Sequence, residues 1–399
     1  MDIRNALTRE ERALMALVRA GLWEREADDL SPFPLTDSQW GTVMRKAAEQ
    51  TVTGLTFRGL HHLPADMMPG DIATMRWAAA ANGIRKANRR MDNAVASLFG
   101  AMHAAGLRPL LLKGQAVARM YEHPDLRQCG DMDIYLASEA EHRAAIGMVE
   151  KQGIAVSRMA DGAYTYEWEG VEVEQHTAVF DLCNPFSQRF LTTLTSGAGS
   201  ADEITIEATS GRASVATTSP IATLLLLDSH ILKHAMGHGI GLRQFCDIAR
   251  AYHTLAGGYD QERLADAYRR TGLTRWTRRL HAFLTELLGM DPDRLPCLGA
   301  TSTTPPALLR MVTEGGNFGH HGATRAPGDQ PAWQRKAATA GALLRNSRLT
   351  MSLAPAETIF NALHLMRGNL GTGKSATTKG ARQNENNSRT SHVFAIQHK

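Results

Sequence analysis

Two short segments constrain this chain more than anything else in it: Lys113-Gly114 and, a little further on, Gly130-Asp131-Met132-Asp133-Ile134-Tyr135-Leu136. The apolar second half of the longer segment reads as a strand. A period of two then places both carboxylates on one face, about 6 to 7 Å apart along the backbone. Two like charges held that close favour a cation. Mg²⁺, or Mn²⁺ in its place, takes one or two protein carboxylates and fills its shell with water and substrate phosphates. The bland alternative is an aspartate at a strand entrance that bonds nearby amides. Lys113-Gly114 argues against it. Gly106-Leu107-Arg108-Pro109-Leu110-Leu111-Leu112 reads as a short buried strand, and Lys113-Gly114 stands where it gives way to an amphipathic helix, Gln115 to Tyr121. A glycine at such a turn lets backbone amides approach a phosphate at a helix N-terminus, and a neighbouring lysine neutralises it. Together the two segments point to metal-assisted chemistry on a nucleotide.

A third acid is expected nearby. Tyr164-Thr165-Tyr166-Glu167-Trp168 and Val171-Glu172-Val173-Glu174-Gln175-His176 alternate on either side of Glu169-Gly170, the pattern of a β-hairpin. In the second run Glu172, Glu174 and His176 share a face. An acid there can complete a metal site or act as general base toward an acceptor hydroxyl. The alternative is the solvated face of an edge strand, and for Glu172 that is the preferred reading.

Leu112-Lys113-Gly114, Tyr121, Pro124, Arg127 and Gly130-Asp131-Met132-Asp133-Ile134 resemble the signature of the uncharacterised bacterial nucleotidyltransferases within the DNA polymerase β-like superfamily. The helix from Asn88 through Ala105 is similar to the one before that family's first strand. His230, Lys233-His234, Gly241-Leu242-Arg243-Gln244 and Asp247 look like its C-terminal helical pair, so the resemblance runs from about residue 80 to about 255. It departs from the family in two places. Gln115 stands where the superfamily usually has Ser, and Glu174-Gln175-His176-Thr177 where the family shows Asp-Leu-His-Trp.

The resemblance implies an α+β fold: a small mixed sheet of the nucleotidyltransferase type with helices on one side, flanked by helical regions at both ends. It also implies transfer of a nucleoside monophosphate from an NTP, with ATP the expected donor, to an acceptor with release of pyrophosphate. In that reading Asp131, Asp133 and Glu174 are the metal-binding and catalytic acids. Lys113 and Gly114 cradle phosphates, and His230 and His234 face the nucleotide. Arg127 is a further phosphate contact or, equally well, a surface arginine. The acceptor is left open among a small molecule, a sugar, a peptide and a protein side chain.

Composition permits this picture. The chain has 399 residues, 43% apolar and 21% charged, enough for one large or several small cores. A net charge of +4 is too mild to argue a nucleic-acid partner, and no basic block with interleaved aromatics occurs. Cys129, Cys183, Cys246 and Cys297 are scattered without CxxC spacing, as reduced cytoplasmic thiols are. No apolar signal stretch follows Met1, and the longest apolar run, Ile221 to Leu227, is far too short to span a bilayer. A cytoplasmic protein without a membrane partner is expected.

By periodicity, residues 1–105 are a helical N-terminal region, 106–217 the nucleotidyltransferase-type core, and 218–367 a helical C-terminal region opened by Ser219-Pro220. A Pro/Gly-rich loop is expected over 291–330 and a disordered tail over 368–399. Gly368 to Ser375 satisfies the P-loop expression GxxxxGK[ST], but a helical pattern, not a buried strand, precedes it. It is therefore read as part of the tail. His230, His234 and His238 align at spacings of four, yet no acid or cysteine shares their face, which disfavours a metal site there. Two functional readings follow: an active Mg²⁺-dependent nucleotidyltransferase, or an inactive nucleotidyltransferase-like binding or scaffold protein, motivated by Gln115 and Glu174.

Overall fold

Strand register is what places the chemistry-bearing side chains. The computed structural model describes residues 3–159, 162–195, 201–237, 239–299, 303–315 and 346–371. These described residues include seven strands: β1 (Leu110–Leu111), β2 (Met132–Tyr135), β3 (Ser157–Arg158), β4 (Tyr164–Trp168), β5 (Val171–His176), β6 (Ala201–Ala208) and β7 (Gly211–Thr218). They form one mixed sheet in the order β3-β4-β5-β2-β1-β7-β6, an α+β architecture. β2 runs parallel to β5, with Asp133 opposite Glu174, and antiparallel to β1. β4 and β5 form the expected hairpin, its turn carried by Glu169 (φ 50°) and Gly170 (φ 75°). Two consecutive positive φ values are what a type I′ turn requires. β6 and β7 form a second hairpin, paired antiparallel along their full length.

Before the sheet come α1 (Arg9–Trp23), α2 (Asp37–Glu49), α3 (Thr53–Leu60) and α4 (Asp71–Ala104); within it lie α5 (Gln115–Ala118), α6 (Glu139–Lys151) and α7 (Pro185–Thr195). After it follow α8 (Pro220–Met236), α9 (Leu242–Leu255), α10 (Gln261–Arg270), α11 (Thr274–Leu288) and α12 (Pro306–Gly315), then the helix Pro355–Gly371. Capping boxes at Thr8/Glu11, Thr36/Gln39 and Ser138/Glu141 start α1, α2 and α6.

Alternation along the strands divides the sheet into two unlike faces. Met132 and Ile134 join Tyr166, Val173, Ile206 and Val215 in a core closed by Val95, Leu98 and Phe99 of α4 and by Ala145 and Val149 of α6. Asp133 and Tyr135 point the other way. There Leu112 and Tyr135 meet a second core that unites the two ends of the chain, with residues from α1, α3, α8, α9 and α11. α1 and α3 touch backbone to backbone: a Cβ on Gly59 would lie 2.1 Å from the Leu17 carbonyl oxygen, and one on Gly21 2.0 Å from that of Leu55. The carbonyls left without helical partners at the end of α11 are taken up by the N-terminal segment. Trp23 Nε1 donates to Leu288 O at 2.6 Å and Arg19 Nη1 to Leu287 O at 3.3 Å, where a cation also complements the helix dipole.

Three expectations change. β1 begins only at Leu110, because Pro109 has no N–H to give a ladder. The helix expected over Gln115 to Tyr121 is the single turn α5, since Tyr121 is drawn aside by a hydrogen bond to Asp247. Within 291–330, expected as a loop, α12 forms because Leu308, Leu309 and Val312 recur at helical spacing and are buried. The expected tail from 372 onward, with the end of the P-loop-like motif, lies outside the described residues, as do His238 and residues 316–345. The motif's start, Gly368 to Gly371, continues a helix. Among the described residues, no helix is long and apolar enough to cross a membrane.

Candidate active site

A cavity of about 330 Å³ opens where β2 and β5 meet the turn after β1 and the helices α8 and α9. Every site residue expected from sequence lines it: Lys113, Gly114, Arg127, Asp131, Asp133, Glu174, His230 and His234. So do His176, Asp181, Lys233, Arg243 and Asp247.

Gly114 has φ 57° and ψ −112°, a conformation in which a side chain is strained. It packs against the strand entrance, where an added Cβ would be 3.5 Å from the Asp131 carbonyl oxygen. The turn therefore stays bare toward the cavity. Lys113 reaches Asp133 Oδ1 at 3.1 Å. Burial works against its ammonium, but the charges of Asp133, Asp181 and Asp131 outweigh that and keep it protonated.

The acids are not equivalent. Asp133 is buried, whereas Asp131 precedes β2 and is exposed. Oxygens of Asp133 and Glu174 and a nitrogen of His176 lie within 4.8 Å of one another. Asp131 lines the same cavity outside that tight group. Burial opposes charge on Asp133, but Lys113 and a 2.7 Å hydrogen bond with His176 Nε2 hold its carboxyl well below the usual carboxylate range. Glu174 moves the opposite way, to about 7, through burial first and then the charges of Asp131 and Asp133. Asp133 and Glu174 offer carboxylate oxygens within that tight group and Asp131 lines the cavity beside it, a donor set that fits a hard divalent cation such as Mg²⁺ or Mn²⁺. Glu172, on the same strand face, is exposed and does not line the cavity.

The facing wall comes from α8. His230 Nδ1 lies 2.8 Å from Asp181 Oδ2, and Lys233 donates to Asp181 Oδ1 at 2.7 Å. His230 also sits 3.4 Å from Lys113 Nζ and 3.2 Å from His234 Nε2. Burial, then the Lys113 charge, pushes His230 below its ordinary pKa. His234 is lowered further by burial, His230 and Lys113. Both imidazoles are thus neutral at pH 7. Asp181 was not found from sequence: it stands alone between Phe180 and Leu182, and no pattern links it to a helix that follows.

At the other end Arg127 is committed to Asp247 through two hydrogen bonds of 2.7 and 2.8 Å, and Tyr121 donates to the same carboxylate at 2.7 Å. Arg127 is buried, so its reading as a surface arginine fails. Gln115 is buried too and does not line the cavity; its amide donates to Asp92 of α4 at 2.6 Å.

Residues 36–289, well over half of the chain, match the family described as Uncharacterised nucleotidyltransferase. The chain belongs to that family. The match runs from α2 to the end of α11, beyond the stretch of about 80 to 255 that carries the motifs. The nucleotidyltransferase family thus includes the helices packed around the sheet, not only the strands bearing acids. Neither a curated protein nor a solved structure matches the chain.

Proposed function

We propose that this member of the family is an active, Mg²⁺-dependent nucleotidyltransferase, with ATP the expected donor. The acceptor oxygen forms a bond to the α-phosphorus, the bond to the bridging oxygen breaks, and pyrophosphate leaves with the electron pair. Mg²⁺, when bound, would neutralise triphosphate charge and polarise the reacting phosphoryl group. Asp131, Asp133 and Glu174 are the residues that would hold it. Lys113 and the bare Gly114 turn bind phosphate oxygens, and the neutral His230 and His234 face the nucleotide from α8. Where Asp131 and Asp133 alone hold the ion, Glu174 is the residue placed to take the acceptor's proton. Most of the work is positioning and charge neutralisation. The acceptor is a hydroxyl of a small molecule, sugar, peptide or protein side chain.

The observation that carries this reading is the convergence of Lys113, Gly114 and three carboxylates on one cavity. Calorimetric titration of each of the four NTPs with Mg²⁺ tests it. Saturable, Mg²⁺-dependent binding of one NTP, lost in Asp133→Asn, is expected. A folded wild type that binds none overturns it. Gln115, turned to Asp92 where the superfamily usually has Ser, favours the competing reading of an inactive binding or scaffold protein. Normal nucleotide binding without pyrophosphate release across a broad acceptor panel would select that one.

A further inference from the structure

The end of the cavity away from the clustered carboxylates carries more positive charge than it can satisfy. Arg127 and Arg243 both line it, and Asp247 is the carboxylate between them. Asp247 is spent: it accepts two hydrogen bonds from Arg127 and one from Tyr121. Arg243 donates from Nη1 to the Gln128 carbonyl oxygen at 3.0 Å, and among the described residues no carboxylate lies within ion-pair distance of it. Two guanidinium nitrogens, Arg127 Nη1 and Arg243 Nε, are buried with no hydrogen-bond partner, and Arg127 as a whole is 5% exposed. The two guanidiniums have Asp247 as their one ion-paired acid, and Asp131 acts on Arg243 only from beyond ion-pair distance. Burying an unpaired charge and unpartnered donors is costly unless a ligand supplies the counter-charge. The missing partner is an anion, and guanidinium forks suit phosphate oxygens.

Position narrows the anion. A Cβ on Gly130 would lie 3.9 Å from Arg243 Nη1, so the guanidinium borders the residue just before Asp131. The bare turn at Gly114 packs against the Asp131 carbonyl. Asp133, Glu174 and His176 follow along the strands. A polyphosphate with its reacting phosphorus at those acids would therefore pass Asp131 and Gly114 and end at the arginines. Building on the nucleotidyltransferase reading above, we infer that Arg243, backed by Arg127, is the receptor for the diphosphate end of the NTP, the part released as pyrophosphate. When the bond from the α-phosphorus breaks, its electron pair stays on the departing diphosphate, and Arg243 faces that added charge. Arg127 is held rigid by Asp247 and offers Nη1. Arg243, tied by one carbonyl, closes on the ligand.

The test is calorimetric binding of inorganic pyrophosphate, without Mg²⁺, to wild type, Arg243→Gln and Arg243→Lys, with sulfate and the nucleoside monophosphate as comparison ligands. Wild type should bind pyrophosphate at least about tenfold more tightly than Arg243→Gln, with Arg243→Lys between, because lysine keeps the charge and loses the fork. Monophosphate affinity should stay within about twofold, since that group lies at the acids. Unfolding curves establish that each variant folds, and Arg243→Lys serves if the glutamine variant does not. Equal pyrophosphate affinity in a folded Arg243→Gln overturns the assignment. So does absence of pyrophosphate binding to wild type, parallel loss of monophosphate, or sulfate binding as tightly as pyrophosphate. The two readings fail separately. Arg243-dependent pyrophosphate binding without NTP turnover sinks the transferase and keeps the anion site; turnover indifferent to Arg243 does the reverse.

Discussion

Glu174 at the cavity and Asp228 inside the helical core both have carboxyls raised to about 7, and they reach that value by different routes. Asp228 lies on α8, fully buried, and burial alone raises it; the Thr277 hydroxyl, donating at 2.9 Å, pulls back only in part. Glu174 is partly exposed to the cavity, and the charges of Asp131 and Asp133 add to its burial. An acid in a dry core is relieved by a proton. An acid among acids beside an open cavity can also be relieved by a cation, because the ion answers all three charges at once. The same displacement is therefore a structural cost at 228 and a binding capacity at 174.

The largest effect that can break this comparison is on turnover. Asp133→Asn removes a metal-holding charge and the ion-pair partner of Lys113, and should lower pyrophosphate release by about 10³-fold or more while the protein stays folded. Retained activity would mean that the acids at the cavity are as structural as Asp228. Glu174→Gln should cost about 100-fold in turnover, the loss typical of a removed general base. Its unfolding midpoint should hold or rise, since like-charge repulsion is relieved. A folded Glu174→Gln of undiminished activity would remove Glu174 from the chemistry.

Asp228→Asn sharpens the other side of the comparison. The folded pKa of about 7 is above the ordinary aspartate value of 3.8. The aspartate's contribution is therefore fully present below about pH 4 and is lost as pH rises to about 7. Asn keeps an acceptor for Thr277 and never ionises. The variant should match wild type near pH 4 and exceed it by about 4 kcal/mol at pH 8. Urea unfolding at the two pH values measures this. A gain independent of pH would show that Asp228 is not held protonated.

The readable part of this site comes from periodicity within single elements. Alternation placed Asp133 and Glu174 on cavity-facing strand positions, the pair Glu169-Gly170 marked the hairpin turn, and Lys113-Gly114 marked a strand-to-helix turn. What closes over those strands was less accessible. Asp181 meets His230 across 49 positions and Arg127 meets Asp247 across 120. Periodicity says which face a residue occupies, not which distant element comes to lie against it. Arg127 and Asp247 are each marked by the family resemblance, but nothing in the sequence pairs them. The shared core of the two chain ends was not visible either, because each helix has a well-formed apolar stripe and nothing in the stripe names its partner. α5 is shorter than its pattern for the same reason: a tertiary hydrogen bond to Tyr121 overrides local preference.

The smallest effect is the most direct test of the contrast between the two acids. A ligand that binds only the folded state raises stability by RT ln(1 + [L]/Kd), about 1.4 kcal/mol at tenfold excess over Kd. For a chain of this size that is a shift of a few degrees at most. Mg²⁺ should produce such a shift in wild type at pH 8, where Glu174 is ionised and three carboxylates await a cation. It should produce the same shift in Asp228→Asn, because that acid lies in the core and does not line the cavity. In Glu174→Gln the shift should shrink, and in Asp133→Asn it should vanish, since that variant loses the acid central to the cluster. An equal Mg²⁺ shift in all four proteins would place the ion elsewhere. Glu174 would then be raised for the same reason as Asp228, as a cost of packing with no ion to answer it.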